Sequence, residues 1–215
     1  MSTLKVVSTN IGEKKSVVWK GKTYTTGIFK YPVDQELWLG TTDVKGDNVI
    51  DRKYHGGIDK ACYAFSADDY SFWEDMYPEI SFTHGMFGEN LTVEGMDEAE
   101  IFIGDQYRLG GALLEVSEPR QPCVKFNIRL DRSNASKVFV KHECSGVYFR
   151  VLKEGIVSSG DVFHLIKRDP HSLSVKRIFQ LLFNPSERKV LEQAIGIKAL
   201  AESTREDLKV ILQRC

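Results

Sequence analysis

The sequence predicts a mainly β protein: a β-barrel with one or two flanking helices, followed by a small all-α appendage of three helices. Three observations carry that expectation. Short apolar runs separated by glycine turns fill the chain from Leu4 to about Leu165. One aromatic stripe at helical spacing interrupts them. Beyond Arg168-Asp169-Pro170-His171 the pattern turns helical throughout, which divides the chain into 1–168 and 169–215.

Leu4 to Val7 opens the β part. Ser16 to Trp19 and Thr23 to Ile28 flank Lys20-Gly21-Lys22, a hairpin turn. Glu36 to Leu39 is a short apolar piece closed by Gly40. Lys60 to Phe65 reads as a buried strand, with Cys62 inside it as packing, since a thiol behaves as a small hydrophobe in a core. Ser66 then reads as an N-cap, and Asp68 and Asp69 suit the first turn, where the helix dipole favours acids. Tyr70, Trp73 and Tyr77 give that helix its packed face, and Pro78 ends it. Gln106 to Leu109 and Ala112 to Ser117, joined by Gly110-Gly111, form the clearest hairpin. Tyr148 to Leu152 and Val162 to Ile166 are two further strands, separated by turn material at Gly155 and Gly160. So many short strands leave no unpaired edge only if the sheet closes on itself, hence the barrel.

In the appendage, Ser174 caps a helix holding Val175, Ile178, Phe179 and Leu182. Asn184-Pro185-Ser186 starts a second, with Val190, Leu191 and Ala194 on one face, and a third runs from about Lys198 to Leu212. Three such helices have little core of their own and need docking or a second copy, which leaves a homodimer as an option.

Composition bounds the function. The 215 residues are 42% apolar and 27% charged with a net charge of −1, an ordinary globular balance that points neither to nucleic acid nor to an anionic membrane. The appendage has a modest basic excess, which reads as a solvated helix face rather than a DNA-reading surface. No apolar run approaches a membrane span and the start is unlike a signal peptide, so a cytoplasmic protein is expected. Cys62, Cys123, Cys144 and Cys215 show no CxxC spacing, which gives no support to a zinc motif or a redox dithiol. All four read as reduced thiols.

Three segments carry chemistry. In Glu118-Pro119-Arg120-Gln121-Pro122-Cys123, two prolines stiffen the chain as it leaves a strand, and Arg120 is the kind of neighbour that favours a thiolate. Cys123 is therefore the candidate reacting centre. Asp51-Arg52-Lys53-Tyr54-His55-Gly56-Gly57-Ile58-Asp59-Lys60 gathers cationic side chains about a Gly-Gly turn that can approach an anion closely. Arg52 suits a bidentate phosphate contact and Lys60 a point charge. His84-Gly85-Met86-Phe87-Gly88-Glu89-Asn90 is a glycine loop feeding a strand; Asn90 offers both donor and acceptor to a heterocycle edge, or else caps its own turn.

Together these segments resemble the MOSC domain, the β-barrel module named for the C-terminal part of molybdenum cofactor sulfurase. The matching stretches are DRKYHGGIDKACYAFS (51–66), FGENLTVEGMDE (87–98), IGDQYRLGGALLEVSEPRQPC (103–123) and YFRVLKEGIVSSGD (148–161). The tail is similar to the three-helix appendage of the YiiM-type subgroup. The resemblance implies a molybdenum cofactor, Mo-molybdopterin, with Cys123 as the thiolate ligand to the metal or as a sulfur carrier. It implies a cofactor cradle of Arg52, His55, Gly56, Gly57, Asp59, Lys60, Asn90 and Arg120 around Cys123. It also implies reduction of N-hydroxylated compounds, such as N-hydroxylated purine bases, to amines, with His55 or Glu89 as proton donor. The chain has no ferredoxin, flavin or nicotinamide fingerprint, so electrons are expected from a separate reductase protein. The alternative is a sulfur carrier holding a Cys123 persulfide; a third class is a barrel that only binds a phosphorylated ligand.

Overall fold

The computed structural model describes residues 3–50, 52, 56–185 and 187–214. Twelve strands form among them: β1 (Lys5–Gly12), β2 (Lys15–Trp19), β3 (Lys22–Thr26), β4 (Lys30–Pro32), β5 (Leu37–Leu39), β6 (Cys62–Ser66), β7 (Leu91–Glu94), β8 (Gln106–Leu109), β9 (Ala112–Pro119), β10 (Val147–Lys153), β11 (Gly155–Val157) and β12 (His164–Lys167). Eight make one sheet in the order β12-β8-β9-β10-β6-β7-β1-β4. All its pairs are antiparallel except β6 with β7. That parallel pair needs a crossover, which α1 (Tyr70–Met76) supplies with its aromatic face turned inward.

The mainly β class is as expected, but the barrel differs in detail. The sheet curls until the chain before β12 returns to β1: Val6 N donates to Asp161 O (2.9 Å) and Phe163 N to Leu4 O (3.0 Å). This closure is one isolated bridge, Lys5 with Val162, rather than a ladder. β1 divides its outer edge, giving Asn10–Gly12 to β4 and its first residues to the returning chain. No continuous closed barrel forms among the described residues.

The Lys20-Gly21 hairpin is present, with both residues at positive φ (49° and 74°), the conformation a tight two-residue turn requires. β11 overturns the reading of Gly155 as turn material; it pairs with β5. Gly155 is needed there because a Cβ would lie 2.2 Å from Gly111 C. Among the described residues three helices flank the sheet where one or two were expected: α1, α2 (Val124–Leu130) and α3 (Ala135–His142). In α2 only Phe126 and Leu130 recur at helical spacing while buried Ile128 lies on the opposite side, so the stripe is too short to mark it. Left-handed Asp131 (φ 52°) and Glu143 (φ 61°) end α2 and α3. Ser66 is not a cap either; it is the last residue of β6, and Asp69 precedes α1.

Two apolar clusters fill the interior. One is aromatic, with Phe65 stacked on Phe87 at 4.1 Å and Trp73, Phe126 and Phe139 around them. The other runs from the sheet into the appendage helices α4 (Val175–Phe183), α5 (Arg188–Gly196) and α6 (Glu202–Leu212). Val175, Ile178, Leu191 and Leu208 belong to the same cluster as Val6, Leu114 and Val116. Ser174 caps α4 as expected, its Oγ accepting from Arg177 N (3.2 Å). Polar contacts add to the docking. Arg150 pairs with Asp59 (2.6 Å) and Glu115 (2.9 Å), and Asp59 accepts from Glu202 N at the start of α6 (3.2 Å). Thr204 Oγ1 donates to buried Glu118, and Gln121 Nε2 to Asp207 (3.0 Å).

Leu208→Ala is expected to cost about 3 kcal/mol through the cavity it leaves. Trp19, Trp38 and Trp73 all lie in the β part. A shared core means tryptophan fluorescence in a urea titration reports the full loss; an unchanged transition would mean that the appendage unfolds alone.

Buried Glu98 accepts from Gly146 N (2.9 Å), yet burial pushes its carboxyl up to about 7, with Asp69 and Asp97 adding to the effect. Folding thus takes up a proton between the ordinary value of 4.5 and about 7. The stability contribution is fullest below pH 4.5 and is lost as pH rises through 7, to the extent of about 3 kcal/mol. Glu98→Gln should flatten the denaturation midpoint between pH 5 and 8; an unaltered pH profile would refute this assignment.

Candidate functional site

β9 ends at Pro119, three residues of irregular chain follow, and Cys123 sits extended (φ −131°, ψ 176°) immediately before α2. Its carbonyl accepts from Phe126 N (2.9 Å) and Ser136 Oγ (3.1 Å), which ties the residue to both α2 and α3. The partly exposed thiol residue lines a pocket of about 620 Å³. Lys30, Lys60, Arg120 and Lys125 line the same pocket, and Ile28, Val49, Tyr63 and Tyr148 provide less polar walls.

Arg120 is buried. Its Nη1 donates to Phe87 O, and the guanidinium lies 5.1 Å from the Tyr63 ring centroid and 5.5 Å from that of Phe126. Among the described residues no carboxylate pairs with it. A buried cation held by a carbonyl and ring faces projects its charge into the pocket.

Two of the other cations, Lys30 and Lys60, are positioned by buried acids. Lys30 Nζ pairs with Asp47 at 2.6 Å, both side chains almost fully covered. Burial alone would raise the Asp47 carboxyl; Lys30, Asn90 and the Gly12 amide outweigh it and hold the group below its ordinary value. Lys60 Nζ lies 3.3 Å from Glu118 Oε1, and burial keeps the Glu118 carboxyl raised in spite of that lysine.

The residues expected from sequence separate into groups. Cys123, Arg120, Lys60 and Asn90 converge on the pocket. Asn90 spends its amide on the frame, donating to Asp47 Oδ2 (3.0 Å) and accepting from Tyr63 N (3.3 Å). Gly57, at φ 93°, starts the 3-10 turn Ile58–Lys60 that carries Lys60 in; Gly56 and Gly57 themselves are not in the wall. Arg52 is an exposed partner of Asp43 (2.7 Å) rather than a phosphate fork at this pocket. Asp59 faces the appendage through Arg150 and Glu202. His55, with Asp51, Lys53 and Tyr54, lies outside the described residues.

Glu89 does not reach the pocket. It is fully buried, and its oxygens accept from Tyr70 Oη (2.5 Å), Gly85 N (2.8 Å), Phe87 N (3.0 Å) and Thr92 Oγ1 (2.9 Å). It braces the loop whose Phe87 carbonyl holds Arg120. Sequence reasoning missed Lys30, Asp47 and Lys125. Lys125 lies two places after Cys123 and was within reach of inspection, whereas nothing local marks Lys30 and Asp47.

Cys123 thus sits beside cations at a pocket on the curled sheet. The chain belongs to the MOSC domain family, whose model covers residues 51–164. Over 201 residues it is 35% identical to the uncharacterized protein YflK of Bacillus subtilis, spanning 93% of this chain and 90% of that protein. The crystal structure of YiiM from Geobacillus stearothermophilus superposes with a TM-score of 0.81 at 32% identity, covering 97% of this chain and 99% of that one. A Gibberella moniliformis protein named Reductase is 32% identical over 188 residues, 86% of this chain but 32% of its own length.

Glu89→Ala should lower stability by about 3 kcal/mol, since it strands two amides and two hydroxyls away from water. Glu89→Gln should keep turnover within a few-fold of wild type once refolded fraction is corrected for; a selective loss of turnover without loss of stability would restore the proton-donor role.

Proposed function

We propose that this chain is a molybdenum-cofactor oxidoreductase that reduces N-hydroxylated compounds, N-hydroxylated purine bases among them, to the corresponding amines. The observation that carries the reading is the juxtaposition of the Cys123 thiol with a buried, carboxylate-free Arg120 and three lysines in one pocket. The donor set fits the group. A soft sulfur suits a metal already held by a dithiolene, and the cations suit a phosphate-bearing pterin. The reductase name of the fungal relative supports the reaction class.

In this reading Cys123 supplies the protein ligand to the metal. Lys60 and Lys125 neutralise the phosphate, and Arg120 holds an anionic edge of the pterin through its fixed guanidinium. When bound, the cofactor supplies the two-electron chemistry that removes the hydroxyl oxygen. Ile28 and Val49 give a planar base an apolar surface and keep water from the reacting N–OH. Of the two proton donors suggested by sequence, Glu89 is committed to the frame, which leaves His55 to deliver the proton to the departing oxygen. Electrons come from a separate reductase protein.

The test is molybdenum content and hydroxylaminopurine turnover for wild type and Cys123→Ala, each made in cells with and without pterin synthesis. Wild type from pterin-competent cells should carry the metal and turn over, while Cys123→Ala falls by about a hundred-fold or more. Equal turnover from all four preparations would end the proposal. Sulfane sulfur on metal-free wild type would replace it with the sulfur-carrier reading.

A further inference from the structure

A second cluster of ligating side chains lies apart from the pocket: none of its members lines the wall around Cys123. Asp69 precedes α1, His142 ends α3 and Cys144 begins the chain leading into β10. One ligand atom from each, a carboxylate oxygen, an imidazole nitrogen and a thiol sulfur, lies within 4.8 Å of the other two. We propose that Asp69, His142 and Cys144 form a zinc site with three protein ligands and a fourth position open to water.

The geometry is near what the ion needs. Tetrahedral zinc, with bonds of about 2.0–2.3 Å, sets its ligand atoms roughly 3.3–3.8 Å apart. Asp69 Oδ1 and His142 Nε2 are 2.5 Å apart and must separate by about 1 Å as the ion enters. The sulfur needs no more than a comparable adjustment inward. Both Asp69 and His142 keep part of their side-chain surface in solvent (10% and 19%), so an ion has a way in.

The surroundings already orient the ligands as outer partners do in metal centres. The His142 ring lies flat on Phe72, 3.5 Å between centroids and 4° between planes, which fixes the imidazole. Trp73 Nε1 donates to Asp69 Oδ2 (3.3 Å) and leaves Oδ1 turned towards the histidine. A mixed oxygen, nitrogen and sulfur set is borderline in softness and selects zinc over calcium or magnesium. Binding forms a sulfur–zinc bond as the Cys144 S–H bond breaks, and a nitrogen–zinc bond as the hydrogen that His142 Nε2 shares with Asp69 Oδ1 moves to Nδ1; the thiol proton leaves to solvent and no oxidation state changes. Carboxylate and thiolate together balance the dication. The ion would clamp α1, α3 and the approach to β10, which meet here although Asp69 and His142 are 73 residues apart.

Cobalt(II) titration of the metal-stripped full chain, followed by zinc competition, tests this. Wild type should bind one equivalent with a thiolate-to-cobalt band, displaced by zinc, and zinc should raise its Tm by several degrees. Cys144→Ser and His142→Ala should lose the band and the shift, while Cys123→Ser keeps both. In case a variant fails to fold, zinc should protect Cys144 of wild type from iodoacetamide in peptide mapping, at least ten-fold. No band and no protection in wild type would overturn the site, as would a band that survives in Cys144→Ser or disappears in Cys123→Ser.

Discussion

A single buried positive charge organises the pocket end of this molecule. Arg120 follows the last residue of β9, yet it turns inward, against aromatic rings and the carbonyl of Phe87. A guanidinium is not neutralised by burial as a lysine would be, so its charge persists where water does not reach. Ring faces and one carbonyl moderate that charge without cancelling it. The strand, the 85–88 loop and the aromatic cluster are thereby bound to one group, and Cys123 is three residues along the same stiff segment.

The acids around the pocket serve as scaffolding rather than reagents. Glu89 gathers the 85–88 loop, Asp47 holds Lys30 and Asn90, and Glu118 joins Lys60 to the start of α6. Each side chain is buried, and each sits where donors from separate segments meet it. The surface left to the pocket is then rich in cations. That asymmetry arises because the carboxylates face the frame and the amines face the void.

Much of this was legible in the sequence where local rules are strong. Lys20-Gly21 announces its hairpin, Ser174 its helix, and paired prolines mark the segment that sets Cys123. The buried setting of Cys62 followed from its strand. What failed was nonlocal. α2 has only a short apolar stripe because its neighbours cover it on several sides. Glu89 in a glycine loop reads the same whether it faces a pocket or its own backbone amides, and only the tertiary position of Tyr70 and Thr92 decides. Asp59 and Arg52 sit in a cationic run, but their partners, Arg150 and Asp43, come from elsewhere. The Asp69–His142–Cys144 cluster has no recognisable spacing signature, since Asp69 stands before α1 and His142, at the end of α3, comes 73 residues later.

The hydroxyl of Thr204 that meets Glu118 gives the final helix an architectural claim on the reactive segment. Glu118 lies one residue before Pro119, sealed from solvent, and without that hydroxyl its carboxyl would lean mainly on Lys60. A lineage or an engineer shortening the chain to the sheet alone would have to rewrite position 118 in the same stroke.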